Sequence, residues 1–108
     1  MIALVEEKKD DIAALCRRFS IQRLDLFGSA ATGDFDPTTS DLDFVVDLGE
    51  YEPGVAGRFL DFIAAIEDLF GRSVDMVTEN SIRNPYFREA VDEQRVRLHE
   101  AKDRKAAA

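Results

Sequence analysis

Asp41 and Asp43 stand two residues apart at the head of an apolar run, Leu42 to Val46. In a strand, residues two apart point to one face, so the two carboxylates project together and Leu42 turns into the core. Two carboxylates side by side repel, and one is pushed toward protonation unless a cation lies between them. A hard cation such as Mg²⁺ suits the pair, because it takes one or two protein carboxylates and completes its shell with substrate phosphates. Upstream, the apolar stretch Leu24, Leu26, Phe27 ends at Gly28-Ser29. Glycine at such a turn lets the backbone approach a phosphate, and exposed N–H groups beside it can bind an anion. A third acid, Asp75, lies between Val74 and Met76. An acid inside an apolar strand needs water or a partner. If strand three pairs beside strand two, Asp75 joins Asp41 and Asp43.

Each feature has a plainer reading. A Gly-Ser turn alone is usually only a turn, Asp-x-Asp is common on solvated surfaces, and Asp75 could face solvent on a half-buried strand. Together they are more specific, because each closes an end of neighbouring apolar strands and supplies both a metal cradle and a phosphate cradle.

The elements that must position these residues follow from periodicity. Ile2 to Phe19 reads as one amphipathic helix, with Val5, Ile12, Leu15, Cys16 and Phe19 at helical spacing. Ile21 to Phe27 reads as a half-buried strand, Leu24 and Leu26 inward, Arg23 and Asp25 outward. Ser29 to Thr32 starts a short helix that Gly33 stops. Asp34 to Ser40 is a turn-rich loop with Phe35 packing it onto the body. Leu42 to Leu48 is the second strand, with Asp47 read as its solvated end. After the Gly49–Gly54 loop, Val55 to Phe70 carries a wide apolar stripe, and Gly71 is placed as its C-cap. Val74 to Thr78 is the third strand, and Glu79 to Asn84 a loop. Pro85 suits the first turn of a helix reaching about Glu93, and Val96 to His99 is a last short strand. The tail from Ala101 is expected to fray. Strands alternating with helices indicate an α/β or α+β fold, a small mixed sheet packed against helices.

Gly28-Ser29, the loop to Ser40 and Asp41-Leu42-Asp43 resemble the signature of the DNA polymerase β-like nucleotidyltransferase superfamily. The small size and the wording FGSAATGDFDPTTSDLDFVVDL are similar to the minimal nucleotidyltransferases (MNT), the antitoxin halves of HEPN–MNT toxin–antitoxin pairs. The resemblance covers roughly Ile12 to Glu100, a domain over residues 1–100 with 101–108 as tail. One departure is a spacer, Ala30 to Ser40, a residue longer than usual in the family; it falls in a turn where an extra residue is tolerated.

The resemblance implies a polymerase β-like fold and an Mg²⁺-dependent enzyme that moves AMP from ATP to a tyrosine hydroxyl of a cognate HEPN toxin. Asp41, Asp43 and Asp75 are then the catalytic and metal-binding residues, with Asp75 the general base. Gly28 and Ser29 hold the β and γ phosphates of ATP. Such a triad supports in-line transfer, one metal on the triphosphate and a second, shared with Asp75, at the acceptor hydroxyl. No Walker-type phosphate loop occurs. Arg23 and Arg72 are the candidate phosphate cations, with surface charge the plainer role. His99 is expected to be structural or exposed, and Tyr51 and Tyr86 to pack. Asn84 to Arg88 is assigned a packing or partner-facing role.

Bulk properties bound the rest. The chain has 108 residues, enough for one modest core. Its formal net charge of -8 argues against a general nucleic-acid binder. It suits a partner with a basic face, or simply solubility. Cys16 is the single cysteine, so no disulfide framework or cysteine zinc site can form. Neither a signal peptide nor a membrane-length apolar run is seen, and the chain reads as cytoplasmic. Two other functions remain open. The fold could neutralise a partner by covering it, without catalysis. Transfer to a small molecule ranks lower, because the short chain leaves little room for a second substrate pocket.

Overall fold

The computed structural model describes residues 1–101; of the tail expected at 101–108, Ala101 is held by its N–H to Gln22 O (2.8 Å), and 102–108 lie outside the described residues. Helices α1 (Ala3–Glu6) and α2 (Lys9–Arg18) lead into strand β1 (Arg23–Phe27), and the short helix α3 (Ser29–Thr32) follows it. Strand β2 (Leu42–Asp47) is joined through helix α4 (Val55–Phe70) to strand β3 (Val74–Thr78). A 3-10 turn (Glu79–Ser81), helix α5 (Pro85–Gln94) and strand β4 (Val96–Glu100) complete the chain.

The strands form one mixed sheet in the order β3-β2-β1-β4. β1 pairs antiparallel with both β2 and β4, whereas β2 and β3 run parallel. A parallel neighbour needs a crossover, which α4 provides. Leu24 and Leu26 of β1 stand opposite Val46 and Phe44 of β2. That face carries the main core, where these side chains meet Val5, Ile12, Cys16, Phe62 and Ile66 of α1, α2 and α4. On the opposite face a smaller cluster joins Val45, Ile82 and Val91, with Phe27 and Val77 packed against it. Among the described residues no helix is long and apolar enough to cross a membrane.

The expected helix from Ile2 to Phe19 is two helices. Ile2 N–H is drawn to Ala30 O (3.1 Å), and Lys8 N–H closes a tight i−3 bond to Val5 O. No side chain caps the restart at Lys8. At the far end of α2, Ser20 adopts a left-handed φ of 57°. Its N–H bonds Arg17 O, and Ile21 N–H bonds Cys16 O at 2.8 Å. This is a Schellman ending with serine where glycine is the common choice. Arg58 of α4 adds donors to Phe19 O and Ser20 O. β1 accordingly begins at Arg23 rather than Ile21.

β1 is not half-buried. Asp25, expected to face water, is 1% exposed. Its two oxygens accept from Arg95 Nε (2.7 Å) and Arg97 Nε (2.5 Å), because α5 and β4 cover that side of the strand. Asp47 is likewise no free strand end: it accepts from Arg23 (2.8 Å) and from Gly49 N–H (2.9 Å). The α4 span, its Gly71 C-cap in left-handed geometry and the β3 span match expectation. Helix α5 begins at Pro85 with the Asn84 side chain accepting from Tyr86 and Phe87 N–H, a standard N-cap.

Candidate active site

The ladder between β1 and β2 ends where Phe27 meets Asp43. On the other side of β2, Asp43 is in register with Asp75 of β3. Cross-strand partners share a face, so Phe27, Asp43 and Asp75 form a row across three strands. Asp41 lies just before β2 and is exposed, while Leu42 between the acids is fully buried on the other face. Arg72 fixes the approach to Asp41. Its guanidinium donates to Ser40 O (2.8 Å) and Pro37 O (3.2 Å), and it lies over the Phe35 ring at 5.0 Å. Phe35 in turn packs on the main core. Arg72 thus holds the long spacer, and Arg23 is committed to Asp47 at the far end of the sheet.

Gly28 follows Phe27 and takes φ 74°, ψ -157°, a region open essentially to glycine alone. A Cβ there would collide with the Asp43 carboxylate. The bare glycine therefore lets the Asp43 oxygens lie against the turn that starts α3 at Ser29. Gly28 N–H already donates to Gln94 Oε1 at 3.1 Å, so what glycine offers a phosphate is room rather than that bond.

Burial, then a hydrogen bond with Asp75, then the charges of Asp75 and Asp41 push the Asp43 carboxyl up to about 6. Among the described residues no cationic side chain pairs with any of the three aspartates. Each arginine seen in an ion pair is engaged with another acid. Crowded carboxylates without a counter-charge fit a bound cation. Among the described residues no three His, Cys, Asp or Glu side chains are grouped so that together they could hold a metal ion, so the site offers a cation fewer than three converged protein ligands. An open, all-oxygen site of this kind suits Mg²⁺, which leaves positions for water and substrate oxygens.

The remaining candidates fall elsewhere. His99 sits on β4 opposite Leu24, and burial pushes its imidazole down. Cys16 is fully buried and its thiol is pushed up to about 12 by burial, as befits a small hydrophobe. Tyr51 and Tyr86 do not pack: they are 56% and 82% exposed. Phe87, beside Tyr86, meets Phe27 edge-on at 6.1 Å. Two residues near the site escaped the sequence. Gln94 closes α5 and carries no local mark. Asp25 did carry one, an acid amid apolar neighbours, the same signal that singled out Asp75.

Comparison with known proteins agrees with this geometry. Residues 12–98 match the family described as "Nucleotidyltransferase domain". The chain is 32% identical over 76 residues to "Putative protein adenylyltransferase MJ1379" of Methanocaldococcus jannaschii, covering 70% of this chain and 75% of that protein. A solved structure described as "putative minimal nucleotidyltransferase" superposes with a TM-score of 0.71 at 29% identity, covering 85% of this chain and 90% of that one. At 18% identity the fold is also shared with an MNT antitoxin solved with a tri-AMPylated HEPN toxin of Shewanella oneidensis, with a TM-score of 0.61 over 94% of this chain and 77% of that one. With the glycine turn, the paired strand acids and the mixed sheet in place, this chain belongs to the nucleotidyltransferase domain family, as one of its minimal nucleotidyltransferases.

Proposed function

We propose that the protein is an Mg²⁺-dependent adenylyltransferase acting in the cytoplasm. It moves AMP from ATP to a tyrosine hydroxyl of a cognate HEPN toxin and so acts as its antitoxin. The observation that carries this reading is the register of Asp43 with Asp75 beside the Cβ-free Gly28. The AMPylated HEPN toxin bound to a protein of the same fold supports AMP as the group moved and a HEPN toxin as the protein that receives it.

In this reading Asp41 and Asp43 hold Mg²⁺, with Asp75 sharing the site. The ion, when bound, neutralises charge on the triphosphate and on the departing pyrophosphate. The Ser29 hydroxyl and the room at Gly28 receive the β and γ phosphates. Asp75 accepts the proton of the acceptor hydroxyl. The hydroxyl oxygen bonds to the α-phosphorus, the bond from that phosphorus to the bridging oxygen breaks, and pyrophosphate leaves. Phe35 and Arg72 hold the loop that delivers Asp41.

The test uses labelled ATP, Mg²⁺ and the protein encoded by the neighbouring reading frame. An AMP-sized mass on a tyrosine of that protein, lost with Asp41→Asn and Asp43→Asn, is expected. Neutralisation of the partner that survives both substitutions without label would replace catalysis by simple binding.

A further inference from the structure

The bond from Gly28 N–H to Gln94 Oε1 spans 66 residues of sequence and ties the end of α5 to the candidate active site. It lies one residue beyond the last β1–β2 ladder pair, Phe27 with Asp43. Gln94 is the final residue of α5 and is half-buried. The next residue, Arg95, fastens that helix end. Its guanidinium reaches Asp25 (2.7 Å), Glu79 (2.6 Å) and Asp92 (2.8 Å), and its N–H reaches Val91 O (2.8 Å). Asp25 lies on β1 three residues before Gly28, which directly follows that strand, and Glu79 directly follows the strand that carries Asp75. The α5 end is therefore joined to β1 at Asp25, to the turn just after β1 at Gly28, and to the exit of β3 at Glu79.

We infer that Gln94 is a positioning residue for nucleotidyl transfer: its side-chain carbonyl fixes the Gly28 turn against Asp43 and sets where Ser29 meets the phosphates. The inference rests on the nucleotidyl-transfer reading above. Gln94 acts through Gly28 and need not touch the nucleotide. The amide is suited to the task. Methionine has similar length but no strong acceptor, and would leave the Gly28 N–H unpaired. Glutamate would keep an acceptor but bring a fourth negative charge beside Asp41, Asp43 and Asp75, where the triphosphate must bind.

The test compares Gln94→Met and Gln94→Glu with the wild-type chain. Transfer from ATP with Mg²⁺ to the protein encoded beside it is measured, together with the Gly28 amide proton by ¹⁵N NMR and hydrogen exchange. In Gln94→Met the Gly28 amide is expected to lose protection. The KM for ATP is expected to rise about five- to ten-fold and the melting temperature to fall by a few degrees, each the scale of one lost hydrogen bond. In Gln94→Glu the protection is expected to persist while KM still rises, the more so at low salt. A purely structural glutamine would shift the melting temperature and leave KM alone. An active wild type with an equally active Gln94→Met, or a Gly28 amide indifferent to that substitution, overturns this inference alone. A wild-type chain that binds no ATP and transfers nothing overturns the parent reading, and this one with it.

Discussion

Asp43 and Asp75 face each other at one register across the parallel seam between β2 and β3, close enough to share a hydrogen bond. The fold holds these two acids together against their mutual repulsion. Asp43→Asn should therefore divide function from stability. Nucleotidyl transfer is expected to fall at least about 100-fold, the scale of losing one group that acts on the transition state. The metal-free melting temperature is expected to rise, because a like charge leaves the cluster. Mg²⁺ at about 100 times its dissociation constant should stabilise the wild type by about 2.7 kcal/mol and the variant far less. Thermal melts with Mg²⁺ and with EDTA check this. An Asn variant with full transfer would remove Asp43 from the mechanism.

Gly28 and Gly33 both have positive φ, 74° and 97°, yet only one borders the acids. A Cβ at Gly33 meets nothing within 4 Å, whereas at Gly28 it meets Asp43 Cγ at 3.3 Å and its carboxylate oxygen closer still. Both alanine variants are expected to lose about 1–3 kcal/mol from backbone strain. Only Gly28→Ala should abolish transfer, because it also displaces the Asp43 carboxylate. Equal activity losses in the two variants would show that close approach at Gly28 does not matter.

Glu79 sets an acid limit on stability. Burial pushes its carboxyl up, but hydrogen bonds from Arg95 and Arg88, with their charges, outweigh that and hold it down to about 2. The folded value lies below the ordinary value near 4.5, so the contribution is present above about pH 4.5. It is lost as pH falls from there toward 2. Urea unfolding between pH 6 and pH 3, as about the range to sample, should show stability falling on acidification. In Glu79→Gln that slope should flatten. An unchanged slope would assign the acid sensitivity to other carboxylates.

Ser20 carries a left-handed backbone, φ 57°, on an exposed residue that has a Cβ. Ser20→Gly is expected to stabilise the fold by about 0.5–1 kcal/mol, the strain relieved less the added freedom of the unfolded chain. This raises the melting temperature by a few degrees. Ser20 precedes β1 and Gly28 follows it, so transfer activity should not change. A lower melting temperature would show that the serine makes a contribution beyond its backbone.

The parts written in local pattern were legible in the sequence. The apolar stripe of Val55–Phe70, its terminal Gly71 and the first three strands follow from periods of 3.6 and 2, which neighbouring residues impose on one another. The glycine turn and the acids could be named because their residue types carry their chemistry. That β3 pairs beside β2 was a condition the sequence could pose but not settle, and the parallel sense of the pair came only with the fold. Pairing depends on where α4 lands, and α4 lands where its apolar face finds the sheet. The burial of Asp25 also escaped, since an alternating strand looks half-exposed until α5 and β4 bring Arg95 and Arg97 over its second face. Gln94 reaches Gly28 only because that same closure brings the two ends of the domain together. Local order comes from contacts a few residues apart. The environment of a charge and the partner of an amide come from contacts some seventy residues apart, and only the folded sheet makes those.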